Sequence, residues 1–182
     1  MITAAHRAEE NLPPVPVVGF AAWSGTGKTT LLALLIPLLK SQGWHVGLIK
    51  KSHHDFEIDQ PGKDSYVLRK AGASPVMLTS SHRRAIITEH DDIRERSLSE
   101  ELDFFDSTGL DLILVEGYKQ EKFPKIELHR PELSKPLLFS DDDSIIAIAS
   151  DAELPVAPPI PQLDLNQPEA IAAFIIQTFL AR

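Results

Sequence analysis

The sequence contains no cysteine in 182 residues, and it is short of positive charge. The missing cysteines exclude disulfide bonds, thiolate zinc sites, iron–sulfur clusters and cysteine nucleophiles. The 18 Lys and Arg are outnumbered by 26 Asp and Glu, giving a formal net charge of -8. A nucleic-acid surface needs clustered Lys and Arg, so this balance argues against one and predicts that any anion binds at a local site. The cytoplasm is the expected compartment, because a cysteine-free chain suits a reducing environment.

Long hydrophobic runs are also missing. The longest apolar stretch, residues 31–39, includes Pro37 and is far shorter than the roughly 18–20 residues of a membrane span. The charged start of the chain does not resemble a signal peptide, and we expect residues 1–15 to be a flexible extension. Residues 16–182 have the size of one globular domain.

From Val17 onward, short apolar runs alternate with helical patterns, which is typical of β-α-β units. The predicted strands cover residues 17–21, 45–50, 76–79, 85–88, 111–115, 125–128 and 144–149. The predicted helices cover residues 28–41, 63–71, 97–107 and 168–181. The third and fourth strands are joined by too few residues for a helix, so we expect an antiparallel hairpin at the edge of the sheet. The predicted fold is a three-layer α/β/α domain with a mainly parallel, mixed sheet.

A glycine-rich stretch between the first strand and the first helix carries the strongest functional signal. Residues 22–30 read Ala-Trp-Ser-Gly-Thr-Gly-Lys-Thr-Thr and match the phosphate-loop pattern G-x-x-x-x-G-K-[ST] except at Ala22. Gly25 and Gly27 let backbone N–H groups converge on an anion, beside the positive end of the helix dipole. Lys28 is expected to bridge phosphates and to act in catalysis. The predicted phosphate ligands are Ser24, Gly25, Thr26, Gly27, Lys28, Thr29 and Thr30.

An acidic residue at the end of a neighbouring strand would complete such a site. Residues 111–115 form an apolar run that ends in Glu116 and then Gly117. We expect Thr29 and Glu116 to bind Mg²⁺, with Gly117 beside the nucleotide. The alternative is a solvated glutamate at a strand end.

Further polar residues follow other predicted strands, where ligands of open α/β sheets bind. After the second strand, Asp55 is a candidate Mg²⁺ ligand or water-positioning base, and His53 and His54 are candidate phosphate contacts; zinc is a weaker alternative for the histidines. The ligand-contact set is completed by Lys63, Asp64 and Asp151. Asp64 is alternatively a helix cap. Asp151 follows the last predicted strand, where a carboxylate could accept from guanine N1–H and N2–H.

These motifs together resemble the molybdopterin-guanine dinucleotide biosynthesis adapter (MobB) family. The resemblance rests on residues 21–31, 47–50, 53–55, 61–66, 110–119 and 146–151. It implies a homodimeric GTP-binding protein with weak GTPase activity that uses Mg²⁺. It further implies that the protein assists a MobA-type guanylyltransferase, which joins GMP to molybdopterin, and molybdopterin is a candidate second ligand. The same resemblance places Asp55, His53 and His54 in the nucleotide cleft.

A small-molecule kinase that uses ATP is the main alternative. Such kinases need an arginine-bearing lid, and the candidate here, Arg94 to Arg96, is balanced by neighbouring acidic residues. No arginine finger is evident beside the phosphate loop, which predicts a low unaided hydrolysis rate. Resemblances to a dethiobiotin-synthetase-like ligase and to a ParA-type ATPase are weaker, because Tyr118 and Lys119 follow Gly117 and no second lysine precedes Gly25 in the loop.

Overall fold

A parallel six-stranded sheet forms the centre of the protein. The computed structural model describes residues 15–52 and 55–181. The strands are Val17–Ala21 (β1), Val46–Lys50 (β2), Val76–Thr79 (β3), Arg84–Ile87 (β4), Leu112–Glu116 (β5), Lys125–His129 (β6), Ile145–Ser150 (β7) and Gln162–Asp164 (β8). The helices are Lys28–Ser41 (α1), Asp64–Lys70 (α2), Leu98–Phe104 (α3) and Pro168–Ile175 (α4), the last continuing as a π-helical turn over Ile176–Leu180. The order in the sheet is β2-β5-β1-β6-β7-β8, and all neighbours are parallel.

The α/β fold with a mainly parallel sheet and an antiparallel hairpin is confirmed. The position of the hairpin was predicted wrongly, because β3 and β4 form a separate two-stranded sheet and are not an edge of the main one. The strand β8 was missed, since it is only three residues long and follows a proline-rich stretch. The prediction for residues 1–14 lies outside the described part of the chain.

Alternating side chains of the central strands build two apolar layers, because successive strand residues point to opposite faces. On one face, Leu112 and Leu114 of β5 pack with Leu35 of α1 and Ile171 of α4. On the other face, Ile113 and Val115 pack with Leu98 of α3. Every one of these side chains is buried, so β5 is enclosed on both faces, as expected for a central parallel strand.

Strand β6 is apolar on one face only. Ile126 and Leu128 join the α1 and α4 layer, whereas Lys125, Glu127 and His129 point to the other side and are buried there. The segment after β6 covers this polar face, and Glu127 accepts hydrogen bonds from the backbone N–H groups of Leu138 (2.8 Å) and Phe139 (2.9 Å). Burial raises the pKa of Glu127, and these two hydrogen bonds oppose the shift.

The buried carboxylate of Glu127 therefore holds residues 138–139 against the sheet close to β1.

Among the described residues, no helix has the length and apolar character needed to cross a membrane.

Candidate functional site

The loop between β1 and α1 has the backbone that anion binding requires. Gly25 and Gly27 adopt left-handed conformations with φ of 84° and 100°, which side-chain-bearing residues rarely adopt. Helix α1 begins directly after Gly27 and has no acidic residue in its first turn. The free N–H groups and the helix dipole of α1 thus face the loop, and the first turn of the helix supplies no acidic side chain of its own to bind them. Ser24, Thr29 and Thr30 are exposed around it, and Thr26 is buried beneath it.

The Lys28 side chain folds back over this loop. Its Nζ donates to the carbonyl oxygens of Ala22 (3.2 Å) and Trp23 (3.4 Å). Burial lowers the pKa of Lys28, the Glu116 carboxylate opposes that shift, and the ammonium groups of Lys119 and Lys50 add to it. Three lysine side chains therefore act on one small region of a chain whose net charge is -8. This concentration of positive charge is suited to a polyanion.

Glu116 lies at the centre of the polar groups around α1. Its Oε1 accepts from the Thr29 hydroxyl at 3.4 Å, and its Oε2 forms an ion pair with Lys50 Nζ at 3.0 Å. The strand register explains both contacts, because Glu116 pairs with Lys50 on β2 and with Phe20 on β1. The following Gly117 has φ 108°, and a Cβ there would lie 2.7 Å from Lys51 Cβ, so only glycine fits.

Thr29 and Glu116 provide a donor set that fits Mg²⁺. Two oxygens side by side on an octahedral Mg²⁺ lie about 3 Å apart, since each is about 2.1 Å from the ion. The observed separation of 3.4 Å between Thr29 Oγ1 and Glu116 Oε1 is close to this value. No group of three or more histidine, aspartate or glutamate side chains within residues 15–52 and 55–181 is arranged around a common metal position. A site with so few protein ligands suits Mg²⁺, because this ion keeps several bound waters and also binds phosphate oxygens.

An arginine lies beside the phosphate loop, and its guanidinium is engaged by groups of the chain itself. Arg130 follows β6, and its Nε donates to the Thr26 carbonyl at 3.0 Å. Its Nη1 forms an ion pair and hydrogen bond with Asp151 Oδ2. Sequence reasoning missed Arg130 because it belongs to no motif. The available signal was its place just after the predicted strand 125–128, where ligands of open α/β sheets bind.

Asp151 is thus partnered within the chain. Its Oδ2 binds Arg130, while its Oδ1 is buried and has no hydrogen-bond partner. Recognition of guanine by this carboxylate remains a prediction.

A second contact joins the phosphate loop to the segment after β6. The Trp23 indole N–H donates to the Pro136 carbonyl at 2.9 Å, and Lys119 Nζ lies 4.5 Å from the centre of a Trp23 ring. The indole therefore packs against this segment, with a cation over its face. The sequence motifs did not predict this contact between Lys119 and Trp23.

The other predicted ligand residues lie in or beside the segment after β2. Asp55 is exposed, and no hydrogen bond or ion pair joins it to Thr29, Lys50 or Glu116 in the described structure. Lys63 is the N-cap residue of α2, and Asp64 is the first residue inside the helix, so the prediction that Asp64 caps α2 is wrong. His53 and His54 lie outside the described residues.

The chain has the parts that characterise the phosphate-loop class of α/β proteins. These are a strand, a glycine-rich loop, a lysine and a helix N-terminus, all at the carboxyl edge of a parallel sheet. The family model described as "Molybdopterin guanine dinucleotide synthesis protein B", MobB, matches residues 17–151. The chain belongs to this family.

Similar proteins agree with this assignment. A protein of Escherichia coli strain K12 named molybdopterin-guanine dinucleotide biosynthesis adapter protein is 46% identical over 164 residues, which cover 90% of this chain and 93% of that protein. A protein of the same name from Haemophilus influenzae is 44% identical over 161 residues, 88% of each chain. A crystal structure of Bacillus subtilis MobB superposes with a TM-score of 0.72 at 21% identity, covering 92% of this chain and 99% of that one, which supports the fold.

Proposed function

We propose that this protein is a GTP-binding accessory protein that acts as an adapter in the biosynthesis of molybdopterin guanine dinucleotide. One observation carries the nucleotide part of the proposal. A phosphate-type loop, with Lys28 folded over it, faces a Thr29–Glu116 oxygen pair at the carboxyl edge of the sheet. Family membership supports the biosynthetic role, because the matching relatives carry that description in their names. The preference for GTP comes from the resemblance of the motifs to this family.

Each residue of the loop has a proposed part in binding. The backbone N–H groups of residues 25–30 hold the phosphates, and Lys28 leaves the Ala22 and Trp23 carbonyls to contact them. Thr29 and Glu116 would hold Mg²⁺, which supplies charge neutralisation between phosphate oxygens when bound. Lys50, now paired with Glu116, lies where it adds positive charge at the same edge.

Slow hydrolysis is the reaction that fits this site. Water attacks the terminal phosphorus, the bond to the bridging oxygen breaks, and the products are a nucleoside diphosphate and phosphate. Lys28 and the loop N–H groups stabilise the charge on the transferred group. Arg130 is engaged by Thr26 and Asp151 within the chain, so it does not have the free guanidinium of an arginine finger. We therefore expect a low rate without a partner.

The kinase alternative has less support. Its candidate lid arginines are held by local carboxylates: Arg94 binds Asp92 and Glu100, and Arg96 binds Asp92. These ion pairs would have to break before either arginine could reach a phosphate.

Association with a second copy and with a MobA-type guanylyltransferase is part of the proposal. The small sheet of β3 and β4 exposes Met77 and Ile86, which lie directly opposite each other in the hairpin. A two-stranded sheet is marginally stable in water by itself, so a covering surface would stabilise it. We assign that surface to a second copy of this chain.

A binding titration tests the nucleotide proposal. GTP and ATP are titrated separately with and without Mg²⁺, and phosphate release is followed over hours. We expect Mg²⁺-dependent binding that favours GTP, with very slow release. Lys28→Ala should weaken binding at least about tenfold, since it removes a charge-assisted contact. Lys40→Ala, an exposed change at the other end of α1, is the matched control.

Three results would count against this function. Equal binding of ATP removes the guanine preference, and unchanged binding by Lys28→Ala removes the phosphate-loop assignment. Phosphate transfer that requires an added hydroxyl acceptor would favour the kinase.

A further inference from the structure

Arg130 is placed beside the phosphate loop by the pairing of three parallel strands. Ala21, the last residue of β1, pairs with Glu127 on β6, so β6 runs two residues beyond it along the start of the loop. His129 at the end of β6 pairs with Ser150 at the end of β7. The next residues, Arg130 and Asp151, therefore leave the sheet side by side, and their side chains form the observed ion pair.

The Arg130 guanidinium makes contacts along one edge of the loop. Nε donates to the Thr26 carbonyl at 3.0 Å, and Nη1 binds Asp151 Oδ2. Nη2 lies 3.8 Å from the position that a Cβ on Gly27 would occupy, so the guanidinium packs against the Gly27 backbone. Thr26 is itself buried, and its hydroxyl donates to the Trp23 carbonyl at 2.8 Å. Thr26 is consequently held both through its hydroxyl, by Trp23, and through its carbonyl oxygen, by Arg130.

The geometry of the peptide bond gives this contact a consequence for anion binding. In a planar trans peptide, the carbonyl of one residue and the N–H of the next point in opposite directions. With the Thr26 carbonyl held by Arg130, the Gly27 N–H is directed away from Arg130. Gly27 has φ 100° and lacks the steric restraint of a Cβ, so without this contact its peptide could rotate more freely.

We propose that Arg130 is a positioning residue of the phosphate loop: held by Asp151, it fixes the Thr26–Gly27 peptide so that the Gly27 N–H is directed at the bound polyphosphate. The inference rests on the proposed nucleotide binding and deepens it. It also gives Asp151 a role other than reading guanine, because the carboxylate acts through Arg130 on the loop. This positioning increases affinity for the polyphosphate part of the ligand, and the effect does not depend on which base is attached.

The test compares GTP, ATP and inorganic tripolyphosphate as ligands of the full chain, each with the same Mg²⁺ concentration. Arg130→Met should weaken binding of all three by the same factor, about tenfold, because a charge-assisted hydrogen bond to the loop is lost. Asp151→Asn keeps the size of the side chain and should give a smaller loss that is again equal for the three ligands. Lys135→Met, an exposed change in the same segment, is the control.

Arg130→Lys separates geometry from charge. Lysine retains the charge but lacks the planar fork that binds Thr26 and Asp151 together, so affinity should stay low. Thermal unfolding of every variant shows whether it is folded, and Asp151→Asn carries the test if Arg130→Met is not.

The outcomes separate the two proposals. If the wild-type chain binds neither GTP nor tripolyphosphate, the proposed function fails and this inference fails with it. If the wild type binds and the Arg130 and Asp151 variants bind equally well, only the inference fails. It fails too if Asp151→Asn weakens GTP alone, which would assign Asp151 to the base, or if Arg130→Lys restores full affinity.

Discussion

At the scale of single residues, Glu116 organises the positive charge at the carboxyl edge of the sheet. Its carboxylate contacts Thr29 and Lys50 and opposes the lowering of the Lys28 pKa by burial. Lysines this close to one another repel, so a carboxylate between them stabilises the chain when no phosphate is bound. Each cation that binds Glu116 must compete with the Lys50 ammonium, which already occupies Oε2.

The Glu116→Gln variant tests the assignment of this residue to Mg²⁺. The amide keeps the shape and loses the charge, so we expect the Mg²⁺ concentration for half-maximal GTP binding to rise about tenfold. The measurement is a Mg²⁺ titration at fixed GTP. The exposed Glu153→Gln variant serves as a control for a lost negative charge. An unchanged Mg²⁺ requirement would mean that Glu116 is only a structural partner of Lys50.

The residue scale also shows what the sequence could and could not predict. The position of Glu116 was predictable because phosphate-loop proteins commonly hold Mg²⁺ with an acidic residue at the end of an apolar strand. Its pairing with Lys50, and the contacts of Arg130, depend on strand register, which a single sequence does not specify. The Trp23 indole packs against the segment after β6, and its hydrogen-bond partner Pro136 is 113 residues away in the sequence. Contacts of that separation leave no local pattern.

At the scale of secondary-structure elements, helix α3 shows how local chemistry sets a boundary. Ser97 accepts from the Glu100 N–H at 3.2 Å, and the Ser97 N–H donates to the Glu100 carboxylate at 2.9 Å. This reciprocal pair is a capping box that sets the start of the helix, which was predicted within one residue. Its end was predicted three residues too late, because nothing between Phe104 and Ser107 marks a stop in the sequence.

The capping box predicts a measurable contribution to stability. Ser97→Ala should lower the free energy of unfolding by about 1 kcal/mol, since one N-terminal N–H loses its acceptor. Urea unfolding at pH 7 measures this change. The neighbouring Ser99→Ala variant in α3 is the control, and an equal loss in both variants would contradict a specific role for the cap.

Glu100 adds a pH dependence with a definite sign. The Arg94 guanidinium and the Ser97 N–H hold the pKa of Glu100 at about 2, below its ordinary value of 4.5. A carboxyl group whose pKa is lowered on folding stabilises the protein above the unfolded pKa, and that contribution is lost as the pH falls. We therefore expect the stability difference between wild type and Glu100→Gln to be largest at pH 7 and to shrink between pH 4.5 and 2. Glu101→Gln, in the same helical turn, is the control; a difference that does not change with pH would exclude this mechanism.

At the scale of the whole molecule, the small hairpin sheet stands apart from the main sheet. The short connection between β3 and β4 predicted an antiparallel pair. The length of that connection does not specify where the pair lies in the molecule. Exposed apolar side chains occur in the hairpin itself, at Met77, Leu78 and Ile86, and in helix α2, which contacts β3, at Val67 and Leu68. Contiguous exposed apolar surface of this kind often marks an interaction site.

The association of two copies is tested by placing a charge on that surface. Met77→Lys should weaken self-association at least about tenfold, because an ammonium would be buried without a partner. Sedimentation analysis over a range of concentrations measures the dimer fraction. Leu34→Lys on α1, where the leucine is 53% exposed and Met77 is 56%, is the matched control. A monomeric wild type, or a Met77→Lys protein that still dimerises fully, would remove the proposed interface.

The separation of the two sheets also has a consequence for how the chain opens. Strand β5 is hydrogen-bonded on both edges, to β2 and β1, whereas β3 and β4 are paired only with each other. Exposing the amides of β5 requires disruption of the central sheet, but those of the hairpin can reach water while that sheet stays intact. We therefore expect the amides of β3 and β4 to exchange their hydrogens with water faster than the amides of β5.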